Sequence, residues 1–246
     1  MSFVVTIDGP AAAGKSTTAR AIAQRLGWRY LDTGAFYRAL GLKLLRRGGT
    51  LADEQAGAFC RESVIEFSGD PDHPHLVLDG EDVTDAIRTP AASDAASRVA
   101  ALPAVRRQLV EWQRALRARE PLVGEGRDLG TVVFPDAEVK LYLDADLDTR
   151  AERRRRELRL QGHEVDLEAV REDMRVRDER DRSRADSPLV AAADATVLDT
   201  SGMDLERQVE AALAVIRNHP AFPGRMPEPG ARPGAPPGGR PGRGRG

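Results

Sequence analysis

The sequence predicts an α/β fold, in which helices flank a mostly parallel β-sheet. Short β-branched runs alternate along the chain with amphipathic stretches, an alternation typical of strand–helix–strand units. The first run, residues 3–7, ends at Asp8-Gly9-Pro10, as expected for a buried parallel strand followed by a tight turn. The chain has 246 residues, 41% of them apolar, which is enough for one large domain with its own core.

The N-terminal elements follow from the spacing of apolar residues. A helix is expected over residues 16–26, because its apolar residues fall on one face, and Gly27 ends it. Tyr30 and Leu31 predict a second short strand. A second helix, residues 35–46, has an apolar stripe formed by Phe36, Leu40 and Leu44. This order of elements fits one strand–helix–strand unit.

Residues 63–88 have a different pattern. Short strands at 64–67 and 76–78 lie on either side of a polar turn, and a second turn follows at 79–82. Because the two strands are too close in sequence for a helical crossover, the segment is predicted to be a small antiparallel insert.

The C-terminal half returns to the alternating pattern. A helix is expected at 102–119, strands at 122–123, 132–133 and 139–143, and a last strand and helix at 196–198 and 205–216. Two long, heavily charged helices, residues 145–161 and 166–184, are separated by Gly162-His163.

Composition sets the domain boundary and excludes several classes of protein. Residues 220–246 contain eight Pro, eight Gly and five Arg, so they cannot bury enough apolar surface to order, and we expect a single domain at 1–219 followed by a disordered tail. There is no apolar run of transmembrane length and no signal-peptide pattern. A single cysteine, Cys60, excludes a disulfide framework. We therefore expect a cytoplasmic, monomeric protein with no membrane partner.

Residues 9–16 (GPAAAGKS) match the phosphate-loop pattern G-x-x-x-x-G-K-[ST] at every fixed position, between a predicted strand and a predicted helix. In such a loop, successive backbone N–H groups surround a phosphate and the helix N-terminus adds positive potential. The motif predicts a P-loop NTPase-type fold with Lys15 at the β- and γ-phosphates and the Ser16 hydroxyl on Mg²⁺. The predicted ATP-binding residues are Gly9, Pro10, Ala11, Ala12, Ala13, Gly14, Lys15, Ser16 and Thr17.

The motif alone does not separate a kinase from an ATPase or a GTPase. The chain has no Asn-Lys-x-Asp guanine-reading motif, and a motor or transporter ATPase would need a longer chain. A small kinase needs a second anionic pocket and basic groups around the transferred phosphoryl, which arginine provides. Candidate segments are 32–38, 126–131, 153–156 and 177–184. For the last two, the alternatives are solvated helix faces or a nucleic-acid surface.

These segments carry a resemblance to a known family. Residues 7–17, 31–38, 80–84, 87–89, 177–184 and 188–189, and above all GRDLGTVVFPD at 126–136, are similar to the bacterial cytidylate kinases, the CMP/dCMP branch of the nucleoside monophosphate kinases. The resemblance is collinear from residue 3 to about 218. It implies transfer of a phosphoryl group from ATP, with Mg²⁺, to CMP or dCMP. It also implies a CORE, a monophosphate-binding insert at about 63–88 and a mobile helical LID at about 152–164.

The resemblance also assigns roles to single residues. It implies that Thr33, Arg38, Arg177 and Arg184 bind the acceptor, chiefly its phosphate, and that Asp181 contacts the sugar. It implies that Ser97, Arg106 and Asp128 contact the cytosine edge. Lys15, Arg153 and Arg184 are the expected catalytic residues, with Arg155 or Arg156 as alternatives to Arg153 in the LID.

Three alternatives stay open at this point. The acceptor could be another small molecule, such as UMP, instead of CMP. Asp128 could only pair with Arg127 or Arg106 and hold its loop. The chain could be a nucleotide-dependent RNA-binding module that uses its tail; because the tail has no aromatic residue beyond Phe222, we do not expect nucleic acid as a partner. Finally, Ala12 stands where some relatives have glycine, and alanine is unstrained there only if its φ is negative.

Overall fold

A computed structural model describes residues 2–48, 51–117, 120–184 and 186–224. Its central element is a parallel five-stranded sheet in the order β2-β6-β1-β7-β8, formed by Arg29–Asp32, Leu122–Glu125, Val4–Asp8, Val139–Asp144 and Thr196–Asp199. In the central strand, Val5 pairs with Val123 on one side and Val139 on the other. The predicted parallel sheet is confirmed, and β1 leads directly into the phosphate loop.

Helices cover both faces of the sheet. One face is covered by α1 (Lys15–Leu26) and α8 (Leu205–Arg217), whose buried residues include Ile22 and Leu213. The other face is covered by α2 (Thr33–Arg46), α3 (Asp53–Arg61) and α5 (Pro103–Ala115), with Leu40 and Leu109 fully buried. Strands buried on both faces explain why their sequences are continuous apolar runs.

The predicted antiparallel insert is also confirmed. Three short strands, β3 (Ile65–Phe67), β4 (Leu76–Leu78) and β5 (Glu81–Asp82), form a second sheet. Leu76 and Leu78 share a small apolar cluster with Ala39 of α2. The insert is therefore anchored to the helix that follows β2, beside α4 (Pro90–Val99).

The two charged helices are α6 (Leu147–Leu160) and α7 (Leu167–Arg182). They pack on each other through four buried residues: Ala151, Leu158, Val170 and Met174. Asp146 and Asp166 cap their N-termini, since each carboxylate accepts a hydrogen bond from the backbone N–H three residues on. The predicted LID, residues 152–164, covers the C-terminal part of α6 and the start of the turn that follows it.

Several predicted elements need correction. Residues 132–133 are not in a strand, because Leu129–Val133 form a π-helical turn whose first N–H groups donate to the buried Asp8 carboxylate at 2.9 and 2.7 Å. Helices α3 and α4 were not predicted, and α5 is shorter than the expected 102–119. In α4, Thr89 caps the helix and Pro90 occupies the first turn, a start signal that the Ala- and Ser-rich sequence obscures.

The start of the predicted tail packs on the domain. Phe222 lies 6.4 Å from the ring of Phe3 and 5.8 Å from that of Trp28, and the Trp28 indole donates to the carbonyl of Gly224 at 3.1 Å. The predicted boundary after residue 219 is therefore too early, and packing continues to 224. The rest of the predicted tail, 225–246, lies outside the described residues. Within the described part of the chain, no helix has the length and apolarity needed to cross a membrane.

Candidate functional site

The phosphate loop connects β1 to α1 through two glycines that no other residue could replace without strain. Gly9 has φ +145°, and a Cβ there would meet the carbonyl oxygen of Leu143 at 2.0 Å. Gly14 has φ +90° and stands at the N-terminus of α1. The backbone conformation therefore depends on the two glycines at the ends of the motif.

Ala12 is in the left-handed region, with φ +58°. The condition for an unstrained alanine is therefore not met, and the conformation costs about 1 kcal/mol relative to glycine. The side chains of Ala11 and Ala12 pack against the apolar cluster between α6 and α7, which offsets part of this cost. The loop is thus in direct contact with the two charged helices.

Lys15 is buried at the base of the loop, and its ammonium donates to the carbonyl of Pro10 at 2.6 Å. Burial, followed by the nearby Arg127 guanidinium, lowers the pKa of Lys15 from 10.5 to about 7, although Glu125 and Asp8 act in the opposite direction. A phosphate anion would compensate both effects, so the position suits a phosphate-binding lysine.

Ser16 is linked to a pair of carboxyl groups at the end of the sheet. Its hydroxyl donates to Glu125 at 2.8 Å. Burial and the adjacent Asp32 carboxylate raise the pKa of Glu125 to about 7. Asp32 itself accepts from Arg38 at 2.6 Å, and Thr33 donates its hydroxyl to the Glu125 carbonyl at 2.7 Å. The carboxyl ends of β2 and β6 thus place hydroxyl and carboxylate oxygens beside the phosphate loop.

Three arginines, Arg127, Arg177 and Arg184, line the cavity around the carboxylate of Asp181. Asp181 of α7 accepts from Arg127 at 3.1 Å and also pairs with Arg184, while Arg127 donates to the Gly9 carbonyl at 2.9 Å. Burial, and then the Arg127 guanidinium, lower the pKa of Arg177 to about 10. A single carboxylate therefore lies among several guanidinium groups that repel each other. The excess positive charge makes this part of the cavity suitable for binding a further anion.

The predicted base-reading residues lie at another wall of the same cavity. Arg106 and Asp128 are both buried and form an ion pair, and Arg106 lies 5.7 Å from the ring centroid of Tyr37. Ser97 accepts a hydrogen bond from Arg180 at 2.9 Å. The pairing that was the alternative for Asp128 is therefore present, with Arg106 as the partner.

These groups surround one cavity of about 390 Å³, lined by nine basic and five acidic side chains. Most of the predicted residues line it: Ala11, Ala12, Lys15, Ser16, Thr17, Thr33, Arg38, Ser97, Arg106, Asp128, Arg177, Asp181 and Arg184. The remaining loop residues Gly9, Pro10, Ala13 and Gly14 shape the loop behind it. Arg127, Glu125 and Arg154 also line the cavity but were not in the predicted set.

Arg153 has a different environment. Its guanidinium donates to the carbonyl of Thr200 at 2.6 Å and to that of Met203 at 3.3 Å, and it does not line the cavity. Arg154, one residue further along α6, lines it and pairs with Glu157 at 2.8 Å. The helix therefore presents Arg154 to the cavity, and Arg153 to the loop after β8.

Comparison with known proteins adds an independent finding. A family model described as Cytidylate kinase matches residues 5–218. The Cytidylate kinase of Bordetella bronchiseptica is 48% identical over 211 residues, which are 85% of this chain and 93% of that protein. Those of Klebsiella pneumoniae and Pelotomaculum thermopropionicum are 46% and 47% identical over 215 and 212 residues, covering 87% and 85% of this chain and 95% and 94% of theirs.

Proposed function

The chain belongs to the cytidylate kinase family, and on that premise we propose that it transfers the terminal phosphoryl group of ATP to CMP or dCMP, giving ADP and CDP or dCDP. The observation that carries this proposal is the position of the arginine group. Arg38, Arg177 and Arg184 line the same cavity as Lys15 and Ser16 of the phosphate loop, so one cavity offers groups for two phosphates. A cytoplasmic location and a monomeric state are part of the same proposal.

The donor phosphates bind in the loop. Its backbone N–H groups and the N-terminus of α1 bind the ATP phosphates, and the Lys15 ammonium contacts the oxygens on which charge redistributes during transfer. Ser16 is the proposed Mg²⁺ ligand. The oxygen groups beside it fit this ion, because Ser16 donates to Glu125 and both belong to an all-oxygen set of the kind that Mg²⁺ prefers. When bound with ATP, Mg²⁺ neutralises phosphate charge.

The acceptor phosphate binds to the arginines opposite. Arg38, Arg177 and Arg184 supply guanidinium groups that match phosphate oxygens in a bidentate manner. Since the acceptor is already an anion at neutral pH, the reaction needs no strong general base. The remaining task of the protein is to hold the two phosphates in line and to keep water away, and the proposed LID at 152–164 serves the second purpose.

Choice of the base rests on Asp128, Arg106 and Ser97. An ionised carboxylate can only accept hydrogen bonds, so Asp128 suits the N4 amine of cytosine and opposes the O4 oxygen of uracil. Arg106 donates, as the N3 and O2 acceptors of cytosine require. We expect CMP to be preferred over UMP by about tenfold or more in kcat/KM, because an unpaired buried acceptor costs roughly 1–3 kcal/mol.

A panel of acceptors tests this function. ADP release is measured with ATP and each of CMP, dCMP, UMP, AMP and GMP, for the wild type and for Asp128→Asn. The amide can donate as well as accept, so the variant should show a smaller CMP-to-UMP ratio. Because Asp128 pairs with Arg106, some loss of thermal stability is expected and does not discriminate. Asp136→Asn, which changes the exposed partner of Arg117, is the control and should keep the wild-type ratio. An unchanged ratio in Asp128→Asn would contradict base recognition by this residue.

A further inference from the structure

A buried ion pair joins the two charged helices beneath the phosphate loop. Arg150 of α6 and Asp178 of α7 are each only 4% exposed, and Nη2 of Arg150 lies 2.7 Å from Oδ2 of Asp178. The same guanidinium donates through Nε to the carbonyl of Ala145 at 2.9 Å and through Nη1 to the carbonyl of Ala11 at 3.4 Å. One side chain therefore contacts the start of α6, the phosphate loop and α7.

Apolar packing links the same three parts. Ala11 and Ala12 of the loop pack against the cluster of Ala151, Leu158, Val170 and Met174, which belong to α6 and α7. Ala12 has this position although its backbone is in the left-handed region. The loop is therefore seated on the helix pair by both polar and apolar contacts.

Stability alone does not explain the ion pair. Removing two charges from water costs about as much as their attraction returns, so apolar residues of similar size are often equally stabilising. Here the balance is less favourable still, because Oδ1 of Asp178 is buried without a hydrogen-bond partner in the part of the chain that is described. What such a pair can supply is a fixed geometry between the elements that it joins.

The position of Asp178 in α7 shows which geometry this is. Arg177 precedes it directly, and Asp181, which holds Arg127 and Arg184, follows less than one helical turn later. The pair therefore connects the phosphate loop, through Ala11, to the turn of α7 that carries Arg177 and Asp181. In-line phosphoryl transfer is highly sensitive to the distance between the donor and acceptor phosphates, since a misplacement of about 1 Å can reduce the rate by about 100-fold.

We propose that Arg150 and Asp178 are positioning residues, which hold the phosphate loop in register with the acceptor-binding turn of α7. The inference rests on the proposed phosphoryl transfer but not on the identity of the base. Arg150→Lys and Asp178→Asn should each lower kcat by at least about tenfold, while KM for ATP and for CMP change by less than about threefold. Both substrates still find their binding groups, and only their relative placement is altered.

The matched control is a second ion pair between the same two helices. Arg171 of α7 lies 2.6 Å from Asp148 of α6, but both side chains are exposed and neither lines the cavity. Arg171→Ala should leave kcat, KM and melting temperature unchanged within error. If Arg171→Ala keeps the wild-type kcat, a loss of kcat in the Arg150 and Asp178 variants does not come from weaker contact between α6 and α7 in general.

A double variant separates positioning from folding. In Arg150→Met/Asp178→Leu neither charge is buried, so the melting temperature should recover relative to the single variants, whereas kcat should stay low. Recovery of kcat together with the melting temperature would overturn the proposal and leave the pair a purely structural role. If the wild type uses another acceptor than CMP, the base assignment fails, and the same variants are measured with that acceptor. If the wild type transfers to no acceptor, both proposals fail.

Discussion

Lys15 has a buried ammonium group whose hydrogen bond to Pro10 does not compensate its desolvation. Since its pKa falls from 10.5 to about 7 on folding, the unfolded chain binds the proton more tightly between these values. Stability therefore rises with pH across this range, because the unfolded state loses its advantage as both forms become neutral. This effect belongs to one residue and can be tested on it.

In Lys15→Met the pH-dependent destabilisation should disappear. The wild type should gain on the order of 1 kcal/mol or more in unfolding free energy between pH 7.5 and 9.5, and the variant should lack this gain and be at least as stable at pH 7.5. Urea unfolding at the two pH values measures the difference. The variant should also lose more than about nine-tenths of its turnover, since the ammonium acts on transferring charge. Equal pH slopes in the two proteins would show that the Lys15 charge is well solvated.

At the residue scale, the sequence predicted the residues whose roles follow from the local backbone of the phosphate loop. The loop motif fixes Gly9, Gly14, Lys15 and Ser16 because their roles depend on neighbours in sequence. Glu125 was not predicted, since its role depends on β6 lying beside β1 and bringing its carboxyl group to Ser16. Arg127 lies in the segment 126–136 that carries the family resemblance. Its contact with Gly9 was not predicted, because the two residues are 118 positions apart in sequence. Ala12 has a positive φ that alanine disfavours locally, so this conformation could not be predicted from the residue type.

At the element scale, the sequence predicted strands and long helices but not helix phase. Neighbouring helical residues point about 100° apart, so four consecutive arginines cannot be assigned to a face from sequence. The structure separates two of them, with Arg154 at the cavity and Arg153 on the carbonyls of Thr200 and Met203. The π-helical turn at 129–133 was missed for a related reason, because its β-branched sequence favours a strand and its stabilising partner, Asp8, is distant in sequence.

The two arginines of α6 should therefore differ in their variants. Arg154→Ala should lower kcat by about tenfold and raise KM for CMP by less. The reason is that a cavity arginine of the proposed LID acts on phosphate charge in the transition state. Arg153→Ala should mainly lower the melting temperature, since it loses hydrogen bonds to two backbone carbonyls. Steady-state kinetics and thermal unfolding of both variants check this, with the exposed Arg156→Ala as control. A larger kcat loss in Arg153→Ala would return the catalytic role to Arg153.

At the scale of the whole molecule, charge divides the chain unevenly. Residues 225–246 hold five Arg and one Glu, so the net charge of −2 combines a tail of +4 with a body of −6. The sequence predicted this division from composition but placed the boundary at residue 220. Eight prolines and eight glycines dominate the composition of 220–246, so the single aromatic residue Phe222 did not change the prediction. Phe222 packs on Phe3 and Trp28, which only the three-dimensional structure brings together.

Two truncations should consequently behave differently. Ending the chain after Gly224 should leave melting temperature and turnover unchanged, because the removed segment has almost no apolar side chains to dock. Ending it after His219 should cost about 1–3 kcal/mol of unfolding free energy, since Phe222 and the hydrogen bond from Trp28 are lost. Phe222→Ala in the full chain is the matched control and should account for most of that cost. Thermal unfolding and ADP-release assays are made on the two truncated proteins and on Phe222→Ala. A lower melting temperature after removal of 225–246 alone would mean that this segment also packs on the domain.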